Sequence, residues 1–201
     1  MGSWCTPLVL KDQLICAMPT RLVSYALEDG KILWSSEGIR FNNGDLSYSS
    51  PVLAGDIIVT IGGYGGPSMG VKLGGSGDVT STHRVWRKAS NPQSIGSGIV
   101  VGDHLYMPWD GTGAIDCIDP KTGKQVWRGR TKGAAWGSIV MAGGHAYVTD
   151  KKGRTTVFKP NPEKFDQVAV NELGEDSNST PAISDGQIFI RTFKHLYCIG
   201  E

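Results

Sequence analysis

The side chains here that could do chemistry are few and scattered. Four cysteines, Cys5, Cys16, Cys117 and Cys198, have no C-x-x-C spacing, so neither a zinc ribbon nor a redox pair is expected. Cys5 and Cys16 flank one predicted hairpin, but a diagonal disulfide there demands narrow geometry, and buried free thiols are the expectation. His104 and His145 have no second His or Cys at ligand spacing, which argues against a metal site. No D-x-D-x-D-G calcium loop and no G-x-S-x-G elbow occurs. The run GGYGGPSMG (62–70) lacks the G-K-[ST] ending of a phosphate loop and reads as a widened loop between strands. What remains is aromatic. Trp34, Trp86 and Trp127 close three similar short runs, and Trp4, Tyr48 and Trp136 each stand two residues before a hydroxyl. Trp109 precedes Asp110-Gly111, a turn signal. Indole and phenol rings at a concave mouth bind sugars, peptide strands or flat cofactors, and they do not by themselves break bonds.

The elements that must position these rings follow from an internal repeat. The runs TPLVLKDQLIC (6–16), SPVLAGDIIVT (50–60), SGIVVGDHLYM (97–107), SIVMAGGHAYV (138–148) and TPAISDGQIFI (180–190) superpose without a gap. Their first column is always a hydroxyl, namely Thr6, Ser50, Ser97, Ser138 and Thr180. A turn residue follows at Asp12, Asp56, Asp103, Gly144 and Gly186, then a bulky β-former at Ile15, Val59, Tyr106, Tyr147 and Phe189. Each copy adds a third apolar segment (LVSYAL, GVKL, AIDCI, TTVF, HLYCI), and the first three add a fourth that ends in tryptophan. Copy two stretches its last turn through VKLGGSGDVTSTHRVW, and copy four ends in FDQVAV without a tryptophan.

Each run is short, rich in Val, Ile, Leu and aromatics, and bounded by Gly, Asp or Pro, and none carries a helical period. Four short antiparallel strands in a unit of about 43 residues describe a β-propeller blade, which must stack on others to bury both faces. The expectation is an all-β propeller with blades near 4–35, 48–87, 95–128, 136–170 and 178–201, treated as a single domain spanning 1–201. Four blades would be complete, and the fifth would lack its outer strand. On that view further upstream blades, or a second subunit, would complete the ring and cover the open edge.

Composition narrows the partners. The 201 residues carry 20 basic and 19 acidic side chains for a net charge of +1, with no basic block, so a nucleic-acid partner is not expected. No apolar run approaches a spanning helix, and Met1-Gly2-Ser3-Trp4 lacks the features of a signal peptide. The 28 glycines and 10 prolines fall between the apolar runs as turn punctuation.

The hairpins ALEDGKILW (26–34) and CIDPKTGKQVW (117–127), with the ending LYCIG, resemble the repeat of PQQ-like, quinoprotein-type propellers. The resemblance covers essentially the whole chain, copies two and four departing from it as described. That family includes PQQ-dependent alcohol dehydrogenases, non-catalytic BamB-like members of the cell envelope, and sensor domains of bacterial kinases. Eight blades are usual in it, so the resemblance implies a C-terminal part of a longer propeller, in the periplasm or cell envelope. Its enzymes stack PQQ on a tryptophan, cover it with a disulfide of adjacent cysteines and hold calcium through Glu, Asn and Asp. No adjacent cysteines occur here, and the expectation is a non-catalytic scaffold with no cofactor and no metal, bound to a protein or peptide partner. The alternatives are part of a PQQ-dependent alcohol or sugar dehydrogenase, or a carbohydrate-binding propeller. The resemblance assigns Trp34, Trp86 and Trp127 to docking between blades. Trp4, Tyr48, Trp136 and Trp109 are then the candidates for a ligand or partner at the funnel mouth.

Overall fold

The computed structural model describes residues 2–200; Met1 and Glu201, the two ends of the expected domain, lie outside them. The chain divides into two compact units, one of residues 1–94 with 102–104 and 119–124, the other of residues 95–101, 105–118 and 125–201. Each is built mainly from short antiparallel sheets.

In the first unit, β1 (Gly2–Ser3) precedes the blade formed by β2 (Leu8–Leu10), β3 (Gln13–Ala17), β4 (Arg21–Ala26) and β5 (Ile32–Glu37). β6 (Leu46–Ser47) returns to pair in parallel with β1. The second blade comprises β7 (Val52–Ala54), β8 (Ile57–Ile61), β9 (Ser68–Lys72) and β11 (Arg84–Lys88). Its stretched turn is not a loose loop. It holds β10 (Gly77–Asp78) and the single helical turn α1 (Thr80–His83), and β10 pairs in parallel with β5. The first sheet therefore has five strands where four were expected, because the longer turn reaches across and covers the neighbouring edge. The Asp78 carboxylate accepts from the Thr80 amide at 2.9 Å, and Thr80 Oγ1 accepts from the Glu37 amide at 2.9 Å. Ile15, Ala17, Leu22, Trp34, Ile58, Met69 and Val71 form the core of this unit, with Val79 of the inserted segment closing it.

The second unit contains β12 (Ile99–Val101), β13 (His104–Trp109), β14 (Ala114–Ile118) and β15 (Gln125–Arg130), then β16 (Val140–Ala142), β17 (His145–Thr149), β18 (Arg154–Lys159) and β19 (Asp166–Glu172). The last sheet has three strands, β20 (Ala182–Ser184), β21 (Gln187–Arg191) and β22 (Leu196–Ile199). Tyr106, Ile115, Cys117, Ile139, Val148 and Phe158 make its core. Among the described residues no helix is long and apolar enough to cross a membrane.

All four complete blades share a distortion that the sequence does not announce. The pairing of the third strand with the outer strand slips between Ser24 and Tyr25, between Arg84 and Trp86, between Cys117 and Ile118, and between Val157 and Phe158. The residue squeezed out is Leu33, Val85, Val126 or Val168, always one before the tryptophan column. A bulge twists an outer edge away from regular pairing, although beside Leu33 the first blade's outer strand still takes β10.

The hydroxyl column has a role of its own. Thr6 N donates to Ser50 Oγ, Ser97 N to Ser138 Oγ and Ser138 N to Thr180 Oγ1, each at 2.9 Å. Within each unit, successive innermost strands are thus tied through a hydroxyl of the same column. One position earlier, a Cβ on Gly96 would strike the Gly137 carbonyl, and one on Gly137 would strike the Ser179 carbonyl. Both obstacles are backbone, so neither can rotate away. Gly137→Ala is expected to cost about 3 kcal/mol, measured by urea unfolding, and an unchanged midpoint would contradict the close approach.

Candidate functional site

The tryptophan column has two kinds of seat. Trp86 Nε1 donates to the Pro120 carbonyl at 2.8 Å and Trp127 Nε1 to the Asn161 carbonyl at 2.9 Å, each 34 residues ahead in the chain. The Trp86 indole lies where a Cβ on Gly70 or Gly123 would otherwise stand. Gly123 also has φ +70°, a conformation that glycine adopts without strain. The glycine of the Gly-Lys turn therefore both makes its hairpin and receives the preceding copy's indole. Trp127 lies 5.8 Å from both Tyr106 and Phe165. Trp34 differs: its N–H donates to Gln13 Oε1 of its own blade at 3.2 Å. In copy two β10 and α1 occupy the place of the short turn, which removes the carbonyl its counterparts use.

The residues before the innermost strands fall into two clusters, one in each unit. In the first, Trp4 stacks on Tyr48 with centroids 5.5 Å apart and planes at 26°, and Tyr64 meets Tyr48 edge-on at 5.9 Å. Burial and then the Tyr64 hydroxyl push the Tyr48 phenol up to about 12. Tyr64 went unremarked in the sequence, although an aromatic amid glycines in GGYGG was the available signal. In the second cluster, Trp136 Nε1 donates to Asp110 Oδ2 at 2.8 Å while the Lys151 ammonium sits 4.7 Å above the indole. Lys151 also pairs with Asp110.

Trp109 is a correction. It was expected in an exposed turn, but β13 runs through it and pairs it with Ala114, leaving it 1% exposed. Its indole N–H is buried without a partner. It is unavailable at a mouth; the turn begins one residue later, at Asp110.

The second unit carries further charge pairs. Asp150 accepts from Arg154 Nε at 2.7 Å, and Lys152 bonds Asp176 at 3.1 Å. Glu175 takes the Thr192 hydroxyl at 2.6 Å and His195 Nδ1 at 2.8 Å. The Thr192 bond, then His195, hold the Glu175 carboxyl below its usual range. His145 Nδ1 lies 2.9 Å from the Gly143 carbonyl. All four cysteines are free thiols, and burial pushes Cys117 up to about 11, which leaves it protonated and unreactive near neutral pH. Among the described residues no group of three or more His, Cys, Asp and Glu is placed to hold a metal ion.

Comparison with known proteins follows from this geometry. Residues 75–162 match the family model of outer membrane protein assembly factor BamB. BamB from Moraxella catarrhalis is similar in structure, with a TM-score of 0.70 at 17% identity over 98% of this chain and 57% of that one. A europium-containing methanol dehydrogenase is similar to the same degree, 0.70 at 12% identity over 99% of this chain and 51% of that one. The computationally designed Ika8 protein also scores 0.70, at 11% identity, over 98% of this chain and 57% of that one. The chain thus spans little more than half the length of these structures. No curated protein sequence matches it. Repeat pattern, sheet topology and these likenesses together make the fold a β-propeller, and residues 75–162 carry the likeness to the BamB family model.

Proposed function

We infer that this propeller is a non-catalytic protein-binding module of the cell envelope, presenting the loops before its innermost strands to a partner. The observation that carries this is Trp136. An indole 37% exposed is held in one orientation by Asp110 from one blade and Lys151 from the next. A fixed aromatic ringed by paired charges suits a protein-binding anchor, since little side-chain freedom is lost on docking. The match to an outer membrane assembly factor supports an envelope setting and a protein partner. A photocrosslinker placed at the exposed Lys132, four residues before Trp136 in the chain, is expected to capture one defined envelope protein. Trp136→Ala should lower that yield about tenfold or more; an undiminished yield would refute the anchor.

The second reading, part of a PQQ-dependent dehydrogenase, is favoured by the methanol dehydrogenase likeness. Titration with PQQ and calcium or europium separates the two, because a saturable shift of the quinone absorbance would overturn the scaffold.

A further inference from the structure

We propose that the Trp4–Tyr48–Tyr64 cluster is a carbohydrate subsite, which takes one pyranose ring of an uncharged, β-linked oligosaccharide. The inference stands apart from the protein anchor at Trp136 and rests on different residues.

Trp4 is 67% exposed although it is among the largest apolar side chains of the chain. It is nonetheless held firmly. Its amide donates to the Ser47 carbonyl at 3.0 Å, at the end of the short parallel pairing of Gly2 with Leu46 and Ser3 with Ser47. The indole lies against Tyr48, and Gly2 packs on its six-membered ring, where an added Cβ would come within 2.8 Å. Tyr48 is braced in turn, since a Cβ on Gly63 would meet its ring at 2.7 Å. The same glycine-rich loop holds Tyr64 at φ +54°. That left-handed conformation is costly for a bulky residue and is maintained here only by the packing around it.

A flat ring, braced by its neighbours and still 67% exposed, is a platform. The negative π face of an indole attracts the polarised axial C–H bonds of a sugar ring, and those bonds line up on one face when the hydroxyls are equatorial. Tyr64, 48% exposed, stands at the margin of this stack. Residues 2–6 (GSWCT), 46–50 (LSYSS) and 62–67 (GGYGGP) contain no charged side chain, and the adjoining Asp45 is paired with Arg40, so the surroundings suit a neutral ligand rich in hydroxyls. A proline-rich peptide would instead need a groove between two splayed rings, and the 26° stack of Trp4 on Tyr48 closes that space.

The test is calorimetric titration of the chain with cellotetraose, chitotetraose and maltotetraose, alongside a proline-rich decapeptide. Saturable binding of at least one β-linked tetraose is expected, with maltotetraose weaker. Trp4→Ala and Tyr64→Ala should each weaken it about tenfold, Trp4→Phe should restore part, and Trp136→Ala should leave it unchanged. Because Trp4 is exposed, its truncation should leave the melting temperature close to that of the parent. The proposal is overturned by no saturation with any β-linked tetraose, by affinity that Trp4→Ala does not move, or by binding of the peptide alone. Crosslinking at the Trp136 anchor should proceed in Trp4→Ala, so either idea can fail without the other.

Discussion

Arg128→Met is expected to lower the free energy of unfolding by about 3 kcal/mol. Asp116 and Arg128 face each other across β14 and β15. Arg128 Nε reaches Asp116 Oδ1 at 2.6 Å and its terminal nitrogen reaches Oδ2 at 2.7 Å, a two-pronged bond. The carboxylate is 2% exposed and the guanidinium 35%. The cost is therefore dominated by the carboxylate left behind, while solvent at the arginine moderates the attraction lost. That asymmetry dictates the control. Pairing Arg128→Met with Asp116→Leu removes both charges, and much of the lost stability should return. Equilibrium urea unfolding of the three variants decides it. A double variant as unstable as Arg128→Met would show that packing, and not the stranded charge, sets the loss.

Trp34→Ala should be costlier, at about 4 kcal/mol. Trp34 is 2% exposed and lies among Ile15, Leu22, Met69 and Val79, side chains from two successive blades and from the segment inserted between β9 and β11. Its removal opens a cavity that three elements would have to collapse together to fill. Gln13 Oε1 also loses a donor, although the Ser24 hydroxyl still reaches it at 2.7 Å. The partly exposed Trp127, seated on the Asn161 carbonyl, should cost less when truncated in the same way. Equal losses at the two positions, read from denaturant midpoints, would contradict the difference in burial.

The two predictions separate what a linear pattern conveys from what it hides. The Asp116–Arg128 pair could not be picked from the sequence, because the register joining positions 116 and 128 depends on a bulge at Val126. The tryptophan column was legible as a repeated feature, and its docking role only as what the family resemblance implies. Yet nothing in VKLGGSGDVTSTHRVW says that Gly77 and Asp78 pair with Trp34 and Ser35 and send the Trp34 indole back to Gln13. Trp109 shows the reverse error: Asp110-Gly111 marked the turn correctly, but whether the residue before it points inward depends on where the strand ends.

The sequence by itself determined the repeat, the strands and the places where they turn. Alternation of apolar residues and the conformational demands of Gly, Asp and Pro act within a few positions, so each copy declares them independently. It also determined that a hydroxyl begins every innermost strand. Only the tertiary structure decided what that hydroxyl does. Ser50, Ser138 and Thr180 accept amides from 44, 41 and 42 residues earlier. Likewise only stacking brought Trp4 onto Tyr48, and Trp136 between Asp110 and Lys151. Contacts between blades are fixed by packing across space, where the side chains of one copy meet those of the next, and no local rule of the chain encodes which will touch.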